Sequence, residues 1–353
     1  MSRKEDVKRM WIECFGDSPE YTDMYFDRVY NDADAMILQQ DDKPVSSLLL
    51  QRYAMRFHGS DAAMGYIAGA VTRRNCRGRG FMSRLVTDAV RESYLRGDML
   101  CALMPAHDWL YFFFDRFGFS TVFLSDTQRF TSLHSFPVQS AYYSLSDPYA
   151  PEIYEAFAAF ERARAGGVLH SRRDFLNVLD DLAMREGGTF VAVGRADAPI
   201  AAMAWAMDAG SVVQFNELLG VDEDARTGAM RELRRRFPDR AFRYLAPATD
   251  CGHRHLYARG MGRIVNVRDC LTRIAAADGS WHSVIRISDP ILPENNHVYV
   301  VSDGVCRIND SYRGHLDFDV PIHVFTRIVF SSESIADILV FPSQRTHMSL
   351  MLH

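Results

Sequence analysis

The sequence predicts an α+β chain made of two tandem mixed-sheet units followed by a small α/β domain, and three observations carry that expectation. An apolar strand, Tyr66 to Val71, runs into Arg77-Gly78-Arg79-Gly80 and then directly into an amphipathic helix. A weaker echo of this order returns between Val212 and Phe237. From about Cys270 short alternating strands take over, separated by Asp289-Pro290 and Pro293-Glu294-Asn295-Asn296. These changes place the boundaries at 1–137, 138–270 and 271–353.

The first segment is the most informative. After the glycines, Phe81, Leu85 and Ala89 form one apolar row and Met82, Val86 and Val90 another, so a helix starts at the turn. Amides in a first turn lack intrahelical partners and carry partial positive charge, and glycine lets a ligand approach closely. Arg77, Gly78, Arg79, Gly80, Phe81, Met82 and Ser83 are therefore the candidate phosphate-binding residues. The spacing excludes two other loops. No Lys follows the glycines as a nucleoside-triphosphate loop requires, and Ser83 stands where a dinucleotide fingerprint has its third glycine. An Arg/Gly turn that only caps a helix is the other reading of these four residues.

Met99 to Met104 reads as a second strand, Pro105-Ala106 ends it, and His107 to Arg116 reads as a helix leading into Phe117-Gly118-Phe119. With Arg77 and Gly80 matching Arg-x-x-Gly-x-small, this segment resembles the coenzyme A loop and core of the GNAT acetyltransferases. Met82 stands where that family usually has glycine or alanine. The resemblance implies that Ala70, Val71 and Thr72 offer backbone groups to a pantetheine arm. It also implies that Trp109, Tyr111, Phe112, Phe113 and Phe114 line the channel near the thioester, although a plain core helix explains most of those rings equally well.

The chain has 353 residues, more than one hydrophobic core usually organises. Its longest apolar run, Ile200 to Met207, is too short to span a membrane, and the charged start Arg3-Lys4-Glu5-Asp6 does not read as a signal peptide, so the expected location is the cytoplasm with no membrane partner. Six cysteines without a Cys-x-x-Cys pair indicate reduced thiols, and a net charge of −5 argues against a nucleic-acid partner. Cys251, His253 and His255 alternate, but no fourth ligand lies nearby, and no metal is expected.

In the echo, Leu245-Ala246-Pro247-Ala248 corresponds to Leu103-Met104-Pro105-Ala106, and Leu256-Tyr257, Arg259 and Gly262 correspond to Leu110-Tyr111, Arg116 and Gly118. The loop in between is Gly220-Val221-Asp222-Glu223, whose acids would repel a diphosphate, so this unit is expected to bind no coenzyme A. The third domain's order of strands, Asp-rich turn and late helix is similar to the sterol-carrier-protein fold. The whole arrangement resembles the Eis-type (enhanced intracellular survival) acetyltransferases. That likeness implies a catalytic GNAT unit at 1–137, a degenerate GNAT-like unit at 138–270 and a sterol-carrier-like domain at 271–353. It further implies acetyl transfer from acetyl-CoA to a small-molecule amine, and homo-oligomers. A non-catalytic coenzyme A or apolar-ligand carrier is the alternative function.

Direct aminolysis of a thioester needs a neutral amine, a proton acceptor, donors to the oxyanion and an acid for the departing thiolate. The resemblance puts the acid, a tyrosine, four residues before Gly118, where this chain has Phe114. Tyr111 lies nearly one turn upstream and is the candidate replacement. The resemblance also makes the carboxylate of the terminal residue, His353, the base. His107, Asp108 or water are the alternatives, His107 and Asp108 also being candidate helix caps. Glu20, Asp23, Asp27, Asp32 and Asp34 in the N-terminal helical region could attract a cationic amine, but read first as a solvated acidic face.

Overall fold

The computed structural model describes residues 2–248, 256–331 and 338–352. Helices α1 (Arg3–Phe15) and α2 (Pro19–Met24) lead into strands β1 (Ala35–Gln40), β2 (Lys43–Phe57) and β3 (Ser60–Thr72). Then follow α3 (Phe81–Leu95), β4 (Leu100–Leu103), α4 (Asp108–Asp115) and β5 (Ser120–Phe130). The second series is β6 (Tyr143–Ser144), α5 (Pro151–Ala163), β7 (Val168–Leu169), α6 (Arg172–Met184), β8 (Gly188–Arg195), β9 (Ala198–Asp208), β10 (Val212–Gly220), α7 (Glu223–Arg236), β11 (Ala241–Pro247) and β12 (Leu256–Ile264). The third contains α8 (Val267–Ala277), β13 (Ser283–Ser288), β14 (Val298–Ser302), β15 (Val305–Ile308), β16 (Phe318–Pro321) and α9 (Ile322–Val329).

Local chemistry accounts for many of these boundaries. Ser2 and Glu5 cap α1 reciprocally, as Ser171 and Asp174 cap α6, and the side chains of Asp222 and Asn266 accept amide protons at the starts of α7 and α8. On α3, Leu85, Val86, Ala89 and Val90 are buried against Leu48, Leu50 and Ile67 of the sheet. The apolar run around Ile200 is the middle of β9. Its alanines at 201, 202, 204 and 206 are buried with Ala225, Ala229 and Leu233 of α7, and small side chains there let the helix come close. Among the described residues no helix is long and apolar enough to cross a membrane.

The first two series share one mixed sheet in the order β1-β2-β3-β4-β12-β5-β11-β10-β9-β8-β6, with β7 on β2. Among the described strands of this sheet only β3/β4 and β10/β11 pair in parallel. The two halves meet by exchange. β4 does not pair with β5 of its own series but with β12, and β11 pairs with β5. Leu256 to Gly262, the expected counterpart of the helix around Tyr111, is thus a strand. Its alternation places Met261 and Gly262 between Leu103 and Ala102 on one side and Thr121 and Ser120 on the other. A second sheet, β15-β14-β13-β16, packs with α8 and α9. Helix α8 runs across position 270.

Arg263 of β12 joins this small sheet to the large one. It is fully buried, donates from Nε to the Phe117 carbonyl at 2.8 Å and pairs with fully buried Asp289 at 2.6 Å. The remaining capacity of Asp289 is taken by the amides of Ile291 and Leu292 and by Asn295 Nδ2. Leaving a buried charge alone is costly, whereas replacing both partners need not be. Arg263→Ala is therefore expected to destabilise the chain by about 3–5 kcal/mol. Arg263→Met combined with Asp289→Asn should lose less, and thermal unfolding of the two variants checks the order.

Candidate active site

The strand, turn and helix expected around residues 66–95 are present. β3 pairs with β4 only from Met64 to Ile67, yet continues to Thr72, so among the described residues its last five have no strand partner on that side. The register with β2 shifts between Ser47/Val71 and Leu49/Ala68, which leaves one extra residue on β3. Gly69 lies in this bulge with φ +56°, and a Cβ there would come within 2.3 Å of the Trp11 ring. Of the backbone groups expected to meet pantetheine, the Val71 carbonyl accepts from Ser46 Oγ at 2.9 Å and the Thr72 carbonyl from Arg77 Nε at 3.2 Å. Ala70 belongs to the bulge.

Gly78 and Gly80 both have positive φ, and nothing lies within 4 Å of where a Cβ would project. The Gly80 cap supplies no side chain, the first turn of α3 holds no acid, and the first helical bond runs from the Arg84 amide to the Gly80 carbonyl at 3.0 Å. The amides of Phe81, Met82 and Ser83 precede that bond. Arg77 turns back over the strand end, while the Arg79 guanidinium lies 5.1 Å from the centre of the Phe81 ring. At the start of α7 the equivalent space is filled from within. Asp222 accepts from the Ala225 amide at 2.7 Å and pairs with Arg195, and Asp224 accepts from the Gln139 and Ser140 amides and the Tyr142 hydroxyl.

Tyr111 sits on α4, half-buried. Burial pushes its phenol up, and the charge of Arg259 acts in the opposite sense. Arg259 is the extra residue where β12 slips register against β5, and its charge also acts on the buried phenol of Tyr66. Phe114 packs in the core with Phe117 and Phe119, in a position where a hydroxyl would be surrounded by rings. Two members of the aromatic run do not line a channel. Trp109 and Phe112 are 62% and 79% exposed, because α4 lies on the surface and turns that face outward. His107 occupies the N-cap of α4 but makes no capping bond.

The last described residues run inward. Thr346, His347, Met348, Ser349, Met351 and Leu352 are all buried. Thr346 Oγ1 donates to the Val122 carbonyl at 2.8 Å, the His347 amide to the Gly166 carbonyl at 2.9 Å, and the Val168 amide to the His347 carbonyl at 3.0 Å. His353 itself lies outside the described residues, as do Cys251, His253 and His255. Among the described residues, no group of three or more His, Cys, Asp or Glu is placed to hold a metal ion. The acidic positions near the N-terminus are largely engaged: Asp27 with Lys4, Asp23 with Lys8, Asp34 with Arg96, and Asp32 with the Tyr30 hydroxyl.

Two buried polar groups escaped the sequence reading. Glu217, in β10, is held by both nitrogens of the Arg164 fork at 2.9 and 3.0 Å and meets His347 Nε2 at 3.2 Å and Ser349 Oγ. Burial alone would raise its pKa, but Arg164 and His347 pull it well below the usual carboxylate range. Glu161 holds His170 Nδ1 at 2.6 Å, and the His170 ring stands edge-on to Tyr53. A charged Glu at an inward-facing position of the Val212–Leu219 strand, in phase with Val213 and Phe215, was the available signal for the first of these.

Residues 2–122 match the family model of the acetyltransferase (GNAT) domain. The chain is thus an enzyme of the acyltransferase class, with that domain at its N-terminal end. Solved structures match the fold almost end to end. A probable N-acyltransferase from Enterococcus faecalis is 14% identical with a TM-score of 0.78, covering 98% of this chain and 96% of its own. Eis1 from Mycobacterium abscessus is 16% identical with a TM-score of 0.74, covering 97% and 91%. A GCN5-related N-acetyltransferase from Kribbella flavida is 17% identical with a TM-score of 0.76, covering 99% and 95%. No curated protein sequence matches the chain.

Because Gly69 combines a left-handed backbone with contact to Trp11, Gly69→Ala is expected to cost about 1–3 kcal/mol and to disturb the bulge that ends the β3/β4 pairing. Thermal unfolding measures the loss, and tryptophan fluorescence reports the displacement of Trp11.

Proposed function

We propose that this chain is an Eis-type N-acetyltransferase that moves the acetyl group of acetyl-CoA onto a small-molecule amine by direct attack. The single observation that carries this reading is the bare, acid-free N-terminus of α3 beside the unpaired end of β3. The amides from Arg77 to Ser83 take the diphosphate, and Ala70, Val71 and Thr72 flank the pantetheine. Residues 1–137 form the catalytic unit, 138–270 a unit that has filled its own anion site, and 271–353 a sterol-carrier-like domain. Homo-oligomers and a cytoplasmic location complete the proposal, without nucleic-acid, membrane or metal partners.

In the reaction, the amine nitrogen attacks the thioester carbonyl, and a tetrahedral oxyanion forms. The terminal carboxylate of His353 takes a proton from nitrogen, the carbon–sulfur bond breaks, and Tyr111 gives its phenolic proton to the departing thiolate. The neighbouring charge of Arg259 favours the resulting phenolate. The buried inner end of the tail, Met351 and Leu352, supports the assignment of the base.

Ser83→Asp places a carboxylate in the first turn of α3, as α7 has already. It should leave the thermal midpoint unchanged or raised, since an acid suits a helix N-terminus, yet weaken coenzyme A at least about tenfold. Calorimetric titration with coenzyme A decides; unchanged affinity would remove the diphosphate from this site.

Tyr111→Phe is expected to lower kcat by roughly 10²-fold or more, read as free thiol from acetyl-CoA with a panel of amines. Since the phenol is shifted upward, it stays protonated through neutral pH. Native kcat should therefore fall only above the ordinary phenol value of about 10, and the variant should lack that fall. A three-residue C-terminal extension should abolish turnover.

A further inference from the structure

A cavity of about 410 Å³ lies between α6 and the wide, π-helical turn Tyr25–Val29, a size within the range that small-molecule sites occupy. The turn contributes Arg28, and α6 contributes Arg172, Arg173 and Asp180, so three guanidinium groups stand against one carboxylate. That carboxylate is already satisfied: Asp180 pairs with Arg28 and accepts from the Tyr149 hydroxyl at 2.8 Å. Arg173 donates to the Arg28 carbonyl, which carries no charge, and the Arg172 guanidinium makes no hydrogen bond or ion pair with a described residue. Nearby acids are engaged elsewhere: Asp27 with Lys4, Asp34 with Arg96 and Asp174 with Ser171. The cavity therefore keeps a positive charge on Arg172 and another on Arg173 that the chain does not answer. Its floor holds the more telling group. Asn177 is only 5% exposed, yet its carboxamide has no hydrogen-bond partner among the described residues, and the residue lines the cavity. A buried amide left unpaired costs stability, and a leucine of similar size, like Leu176 and Leu179 of the same helix, would stand there without that cost.

We infer that this cavity binds a small organic dianion, a dicarboxylate or a phosphomonoester, whose acidic groups are held by Arg172 and Arg173. Guanidinium forks match carboxylate and phosphate alike with two parallel hydrogen bonds. The Asn177 carboxamide offers both a donor and an acceptor to a polar atom of the ligand, while Leu176 and Tyr149 give apolar surface to its carbon skeleton. A ligand that touches both Arg28 and α6 ties the turn after α2 to the second series of elements and stabilises the chain as it fills the site. The cavity shares no residue with the start of α3, so the inference does not rest on the acetyltransferase reading.

The test is calorimetric titration of the full chain, in a buffer free of phosphate and carboxylate, with glutarate, phenyl phosphate, inorganic phosphate and glutaramide. At least one organic dianion is expected to bind about tenfold or more tightly than inorganic phosphate, which has the charge without the skeleton, and than glutaramide, which has the skeleton without the charge. Glutarate against phenyl phosphate tells which acidic group the site prefers. Two variants then test the placement. Arg172→Gln, which breaks no contact within the chain, should weaken the preferred dianion by at least about tenfold, the loss expected for one hydrogen bond to a charged group. Asn177→Leu should also weaken it, while the thermal midpoint of the unliganded chain stays unchanged or rises. Ser83→Asp should leave the affinity for the dianion as it is.

Failure of both organic dianions to bind overturns the inference. So does tighter binding of inorganic phosphate than of either, which is the mark of an unspecific basic surface. An affinity that Arg172→Gln or Asn177→Leu leaves unmoved contradicts the placement, and one that Ser83→Asp abolishes puts the anion at the start of α3 instead; either result overturns it. A changed molar mass of Arg172→Gln in solution, with no dianion bound by the native chain, would make this face a contact between copies. Failure of the native chain to bind coenzyme A removes the acetyltransferase reading and leaves this inference standing.

Discussion

The structure depends on one exchange. Each half of the large sheet is completed by the other's last strand: β12 closes the edge left by β4, and β5 closes the edge left by β11. An uncapped β4 would expose an apolar edge whose backbone groups had no partners, which is costly inside a protein and adhesive outside it. The exchange removes both liabilities and places three site features on neighbouring strands. The β3/β4 divergence, Arg259 at its bulge and the groove that receives Thr346 beside Phe123 all adjoin β12 or β5. Arg263, on the same strand, carries the connection onward to Asp289 in the third domain.

The two helix starts show how one scaffold supports different chemistry. α3 and α7 follow comparable strands and present comparable dipoles. At α3 glycines leave the amides bare, whereas at α7 Asp222 and Asp224 satisfy amides and hydroxyls of their own chain. The difference lies in two or three side chains and leaves the fold untouched. Identity of 14–17% to solved structures therefore tracks the architecture, while the site has to be read from the side chains.

Much of this was legible in the sequence where the determining physics is local. The Arg77–Gly80 turn, the helix after it and the short strands beyond residue 283 are set by glycine, by apolar period and by turn residues within a few positions of one another. The misreadings share a different origin. Leu256 to Gly262 carries a spacing that imitates the helix at 110–118, but pairing with residues more than a hundred positions away makes it a strand. Glu217 shows only as one of three polar residues in the Val212–Leu219 strand, because its partners lie 53 and 130 residues distant. Exposure of Trp109 and Phe112 follows from how α4 rests on the sheet, which the run of rings does not encode.

The exchanged strands also bear on how the chain comes to be made. Residues 100–103 acquire their second neighbour only when 256–264 have left the ribosome, so the N-terminal half emerges with its sheet unfinished and an edge waiting for a partner more than 150 positions behind it. At synthesis rates of about 5–20 residues per second that interval lasts on the order of ten seconds, long enough for chaperones to matter and for a neighbouring nascent chain to offer the wrong strand.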